Sequence, residues 1–302
     1  MAAAATPLGF IGLGMMGLPM ARSLLRHGRA LVACDPSEAA RDALSEGAGA
    51  GAVRFAATPA GVAETAETVV LVLPDSKAVA QVVEGPGGLL AALRPGHLVV
   101  DMGSSLPAET RRLAAAAAER GAAFLDAPVS GGVAKARDGT LAIMLGGDDE
   151  PCARAEPVLR EMGAPPIRTG PVGSAHAMKA LNNYVYAAGL LAAAEAVRMA
   201  EALGLDLHVF TDVLNASSGR NVATETKLKS DVLTGRYAAG FQLGLMRKDL
   251  ETAGSIAAET GLDAPGLSLC RALWAEAVEK LGPRVDNLEI HRFLGQRETA
   301  PR

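Results

Sequence analysis

Lys179 stands where few lysines do. It follows Gly170, Pro171, Val172, Gly173, Ser174, Ala175, His176, Ala177 and Met178, and its neighbours are small or aliphatic. Asn183 comes four residues later, so on a helix the two side chains share one face, one above the other. Gly173, Ser174 and Ala175 keep the first turn thin enough for a ligand or a facing strand to approach the backbone. From Met178 to about Leu203 the chain is apolar on nearly every side, a pattern that predicts a buried helix; with the turns before it, roughly 30 residues would span ~45 Å. Two readings of Lys179 are open. Its stem can lie along apolar surface while the ammonium reaches water or an acid. Alternatively, burial and a neighbouring cation lower its pKa from the free value of about 10.4 toward neutrality, which suits a general acid/base.

Other residues could bind rather than react. Ser130, Gly131 and Gly132 follow an apolar run ending at Asp126 and precede a short helical segment, Val133 to Arg137. Backbone N–H groups at a helix start, joined by a hydroxyl, form an anion site that suits a carboxylate. An ordinary helix cap by Ser130 is the other reading. Near the N-terminus, Gly12, Gly14 and Gly17 enclose Leu13, Met15 and Met16 in a Gly-x-Gly-x-x-Gly pattern. Placed between a strand and a helix, those glycines give a tight turn, close approach of a pyrophosphate, and helix–sheet packing. Asp35 lies 21 residues after Gly14, at the end of the apolar run Leu31–Cys34. An acid there accepts hydrogen bonds from ribose hydroxyls and repels a 2′-phosphate. The nearest downstream arginine is Arg41. NAD is therefore expected as cofactor in preference to NADP.

The elements that must position these residues fall into two regions. Strand patterns at 8–11, 31–34, 69–73, 97–101, 123–126 and 140–145 alternate with helical patterns at 18–27, 76–83, 107–120 and 148–162. Continuous apolar strands alternating with helices predict a doubly wound parallel α/β sheet of the Rossmann type. Ligands of such sheets sit beyond the strand C-termini, which assigns Leu73, Pro74 and Ser104 to the cofactor's wall; ordinary turn chemistry is the alternative. After Thr169 only helical patterns remain: the long helix, then 207–215, 225–233, 242–260, 265–281 and 287–294. Residues 1–169 are expected to form the NAD-binding domain, and 170–302 an all-α domain for substrate and oligomerisation, joined by the long helix. Lys248 and Asp249 interrupt an apolar face, for which surface charge is the usual meaning.

Composition narrows the classes. A chain of 302 residues, 49% apolar, suits two globular domains. Its net charge of −4 and the lack of a basic stripe argue against a nucleic-acid partner. No apolar run reaches transmembrane length, and Met1 to Pro7 has no basic region of a signal peptide. Cys34, Cys152 and Cys270 are odd in number and widely spaced, which fits a reducing, cytoplasmic setting. His27, His97, His176, His208 and His291 show no ligand spacing, so no metal is expected.

Four segments together resemble the β-hydroxyacid dehydrogenase family: 9–20, with the glycine motif; 126–132, Asp-Ala-Pro-Val-Ser-Gly-Gly; 170–183, with Lys179 and Asn183; and 248–250, Lys-Asp-Leu. Members include 3-hydroxyisobutyrate dehydrogenases and 2-hydroxy-3-oxopropionate reductases. The resemblance implies that Lys179 is the catalytic lysine, that Ser130, Gly131, Gly132 and Asn183 hold the substrate, and that Lys248 approaches nicotinamide and substrate. It also implies a homodimer or homotetramer built around the long helix. The expected reaction is hydride transfer between NAD and a short 3-hydroxy acid, with reduction of 2-hydroxy-3-oxopropionate or of another small anionic aldehyde as the alternative. Imine reductases and non-catalytic dinucleotide-binding relatives usually lack the lysine. Two positions depart from the family pattern: Ala175 replaces a glycine, and His176 replaces an amide side chain, leaving open whether His176 touches substrate or only packs.

Overall fold

In the computed structural model, residues 6–297 are described, so most of the Met1 to Pro7 segment lies outside them. The chain divides into two compact units, Met1–Lys179 and Ala180–Arg302, and the division falls within the long helix.

The first unit begins with β1 (Leu8–Ile11), α1 (Gly17–Arg26), β2 (Leu31–Cys34), α2 (Glu38–Ser45), β3 (Val53–Phe55) and α3 (Pro59–Ala63). It continues with β4 (Thr68–Leu71), α4 (Ser76–Glu84), β5 (Leu98–Asp101), α5 (Pro107–Ala118) and β6 (Ala123–Asp126). Then come β7 (Val129–Ser130), α6 (Gly132–Asp138), β8 (Ala142–Gly146), α7 (Asp149–Arg160), β9 (Ile167–Gly170) and the start of α8 (Ser174–Ala202). The nine strands form one sheet in the order β3-β2-β1-β4-β5-β6-β8-β7, with β9 beside β8. From β3 to β6 every pairing is parallel; β8 joins β6 and β7 antiparallel. Neighbouring residues enter opposite layers, as the pleat requires. Phe10, Val70 and Val100 pack in one buried cluster, while Ile11, Leu71 and Val99 pack in the other. Both faces are thus covered, which explains why these strands read as unbroken apolar runs. This is the expected Rossmann-type fold. The sequence reading missed β3 and α3: Val53–Phe55 is short, half-buried to exposed, and lacks an apolar signature.

The second unit is helical, as expected. After α8 it contains α9 (Leu207–Ala216), α10 (Val222–Thr226), α11 (Leu243–Thr260), α12 (Pro265–Leu281) and α13 (Ile290–Arg297). The segment expected as one helix over 225–233 is instead α10 followed by a short π-helical turn at Leu228–Val232. Trp274, Phe293, Leu250, Met246, Leu190 and Val197 belong to one aliphatic-rich core. The expectation that α8 is buried all round is corrected. Met178, Leu181, Val185 and Met199 are 49%, 43%, 69% and 62% exposed. A continuous apolar composition hides which face the single chain's own core covers.

Candidate active site

In the first unit the chain runs outward from β1 through β2 to β3, then returns to β4 on the other side of β1. This reversal creates the crevice beyond the strand ends where doubly wound folds bind ligands. The glycine loop lies at that point. Gly12 has φ of 98°, and a Cβ there would overlap the Val72 carbonyl oxygen; at Gly17 a Cβ would overlap the Gly12 carbonyl oxygen. Around Gly14, by contrast, a Cβ would meet nothing within 4 Å, leaving the approach that a pyrophosphate needs. Leu13 is buried, Met15 exposed and Met16 half-buried.

Asp35 does more than its position at the end of β2 announces. Its Oδ2 accepts a hydrogen bond from the Leu13 amide at 2.6 Å and its Oδ1 one from the Ser37 amide at 2.8 Å. Arg41 Nη1 donates to the Asp35 carbonyl oxygen at 2.7 Å. The acid therefore ties the glycine loop to the end of β2. Beside it, burial and then the Asp35 charge push the Cys34 thiol up, which favours its protonated form. Leu73 lies against Gly12 and Gly103, beyond the ends of β1, β4 and β5; Pro74 and Ser104 follow the ends of β4 and β5.

Ser130 ends β7, paired to Ala142 of β8, and α6 begins two residues later. Gly131, with φ of 133°, is the residue that caps α6, and no side chain caps it. The reading of Ser130 as an ordinary cap is therefore corrected: it is one residue too early and held in the β7–β8 ladder. A Cβ on Gly131 would press the Lys135 side chain at 2.5 Å. Only glycine fits both the turn and that neighbour.

Lys179 sits in the second turn of α8 and is 7% exposed. The start of α8 is held by residues the sequence reading left without a role. Asp126, at the end of β6, accepts from the Gly173 amide through Oδ1 at 2.7 Å and from the His176 amide through Oδ2 at 2.9 Å. A carboxylate remote in sequence thus satisfies amides that a helix start leaves open. Gly146 of β8 closes the same corner: a Cβ there would press Asp126 Oδ1 and Ser174 Oγ. The His176 ring is buried, with Nδ1 2.8 Å from Thr110 Oγ1 of α5. Asp101, at the end of β5, accepts from Gly103 N and Ser105 Oγ, and its Oδ2 lies 3.8 Å from His176 Nε2. The available signal was an acid closing each of two apolar strands, at Asp101 and Asp126.

In the second unit, Asn183 is 6% exposed and its amide donates to Asp249 Oδ2 at 2.5 Å. Asn182 Nδ2 donates to Asn183 Oδ1 at 3.1 Å. Asp249 is buried, with Lys248 Nζ 3.8 Å from its Oδ1. The surface-charge reading of this pair is corrected for the aspartate, which α11 turns inward as the partner of Asn183. Arg220 is 64% exposed and pairs with Glu225 at 2.9 Å. Among the described residues, no group of three or more His, Cys, Asp or Glu could hold a metal ion. None of the described helices is long and apolar enough to cross a membrane.

Comparison with known proteins decides the family. The model for the NAD-binding domain of 6-phosphogluconate dehydrogenase matches residues 7–180. That for the NAD-binding domain of NADP-dependent 3-hydroxyisobutyrate dehydrogenase matches 173–294. Human mitochondrial 3-hydroxyisobutyrate dehydrogenase is 36% identical over 98% of this chain and 89% of its own. The chain belongs to the β-hydroxyacid dehydrogenase family. It is similar to the NAD-dependent L-serine dehydrogenase of Pseudomonas aeruginosa, at 38% identity over 88% of this chain and 91% of that one. A solved structure of Mycobacterium tuberculosis 3-hydroxyisobutyrate dehydrogenase with L-serine superposes with a TM-score of 0.87, at 33% identity over 96% of this chain and 99% of that one. As a member of this family, the chain is an NAD-dependent oxidoreductase acting on the CH–OH group of hydroxy acids, as the sequence led us to expect.

Proposed function

We propose that the chain oxidises a short 3-hydroxy acid to its semialdehyde, 3-hydroxyisobutyrate being the first candidate and L-serine the second. Lys179 acts as general acid/base. The observation that carries this reading is a lysine only 7% exposed, one helical turn ahead of a buried asparagine on the same helix. Bound NAD supplies the hydride acceptor, and the glycine loop with Asp35, Leu73, Pro74, Ser104 and Lys248 is assigned to holding it. The open approach at Gly14, beside two glycines that tolerate no side chain, supports that fit. Ser130, Gly131 and Gly132 grip the substrate carboxylate, which fixes the carbon presented for hydride transfer. Lys179 takes the hydroxyl proton as the C–H bond breaks; in reverse its ammonium returns that proton to the forming alkoxide. Asn183, with one amide hydrogen committed to Asp249, has a second to hold the substrate hydroxyl. The assignments of Lys248 and Asn183 rest on the family motif.

The exposed apolar face of α8, with Met178, Leu181 and Val185 at helical spacing, supports a homodimer or homotetramer. The Ser130–Gly132 turn supports a small carboxylate substrate, and the net charge of −4 argues against a nucleic-acid partner. Three free cysteines support a cytoplasmic setting. The test is an initial-rate screen of 3-hydroxyisobutyrate, L-serine, glycerate and small semialdehydes with NAD and NADP. Turnover of 3-hydroxyisobutyrate or serine with NAD is the expected outcome. Activity confined to other substrates, or dependent on NADP, would reject the assignment.

A further inference from the structure

Burying a polar atom without a partner destabilises a fold, so such an atom beside a reactive group calls for a reason. His176 Nε2 is one: it is buried and has no hydrogen-bond partner, although Asp101 Oδ2 faces it at 3.8 Å. A leucine would fill similar space without that penalty. The other ring nitrogen is engaged, 2.8 Å from Thr110 Oγ1. The Thr110 hydroxyl also donates to the Leu106 carbonyl at 3.1 Å, an oxygen that accepts the Thr110 amide at 3.0 Å as well. The ring thus meets Thr110 between two buried acids, with Asp101 Oδ2 3.8 Å from Nε2 and Asp126 Oδ2 3.9 Å from Nδ1.

The backbone of the same residue is fixed separately, by Asp126 Oδ2. His176 thus receives bonds from β6 and α5 and faces the buried acid of β5, while Lys179 follows it by three residues, on the same helix face. We propose that His176 is a positioning residue: its ring, locked by Thr110, sets the rotation of the first turn of α8 and with it the place of the Lys179 ammonium. This rests on the reading of Lys179 as general acid/base. His176 does not itself touch the reacting atoms.

The full-length protein is compared with His176→Leu, His176→Asn, Thr110→Val and the Leu/Val double variant. Lys179→Ala is assayed first. If turnover survives it, the functional reading fails; hydrogen exchange then judges the tie by itself. Exchange of backbone amides over 173–179 should rise in His176→Leu and Thr110→Val while the remaining strands of the unit stay protected. Unchanged exchange overturns the proposal. With 3-hydroxyisobutyrate or serine, kcat per NADH-binding site should fall about 10- to 100-fold in His176→Leu, the scale of a misplaced reacting group. KM and NADH affinity should change little. His176→Asn, whose amide can still meet Thr110, should recover most of the loss, and the double variant should be no slower than the worse single one. Unchanged kcat per binding site, failure of the asparagine to rescue, or additive losses would each overturn it.

Discussion

Asp35→Ala separates two functions that one carboxylate performs. The side chain is half-buried and accepts the Leu13 amide at 2.6 Å, so removing it releases the glycine loop whichever cofactor binds. A hydrogen bond to a charged group contributes about 1.5–3 kcal/mol, and partial exposure places this one near the lower limit. Since about 1.4 kcal/mol is tenfold in affinity, both NADH and NADPH should bind roughly tenfold more weakly. NADH then loses the acceptor for its ribose hydroxyls as well, about another tenfold, whereas NADPH is relieved of repulsion at its 2′-phosphate. The expected result is an NADH Kd raised about 100-fold against about tenfold or less for NADPH. Fluorescence titration of each cofactor gives both constants, and thermal unfolding without cofactor shows whether the fold survives. Equal losses would refute the ribose role. A gain in NADPH affinity with no shared loss would refute the role in holding the loop.

Replacing Lys179 by Ala should lower kcat about 10²- to 10⁴-fold, the range of a positioned proton-transfer group, with NADH binding nearly intact; lost cofactor binding would mean that the lysine is structural. Trp274 is fully buried in the helical core, so Trp274→Ala should lower stability by about 3–5 kcal/mol in urea unfolding. A change under about 1 kcal/mol would show that the site collapses around the cavity. His97 is buried with neither ring nitrogen bonded, and burial, followed by the Arg94 charge, holds its pKa below the ordinary value. The unfolded chain then takes up a proton first, so stability present above about pH 6.5 is lost as pH falls toward the folded-state pKa. His97→Leu should flatten the loss of unfolding free energy between about pH 7 and pH 5; identical slopes in the two proteins would contradict this.

Much of the fold was legible because strand interiors here are buried on both faces. Runs such as Leu98–Asp101 carry the assignment themselves, and the Pro265–Leu281 helix was read to its ends. The glycine motif was legible too, since steric exclusion at Gly12 and Gly17 follows from a strand–turn–helix joint. β3 was not, because an edge strand with exposed side chains is held by backbone bonds to β2 rather than by its composition. Nor was the pairing of Asn183 with Asp249, 66 positions apart in sequence, a separation over which no local spacing rule operates.

Local chemistry in the sequence decided which residues have the capacity to act: a lysine among small apolar neighbours, a glycine-rich turn, an acid closing a strand. Those properties depend on covalent structure and helix or strand periodicity, which neighbouring residues set. Only tertiary structure decided that Asp126 would hold the first turn of α8, that Asp35 would tie the glycine loop, and that one apolar face of α8 would stay uncovered by its own chain. Each of these depends on which distant elements meet, and hydrogen bonds of about 3 Å carry no trace of that meeting in the order of the residues.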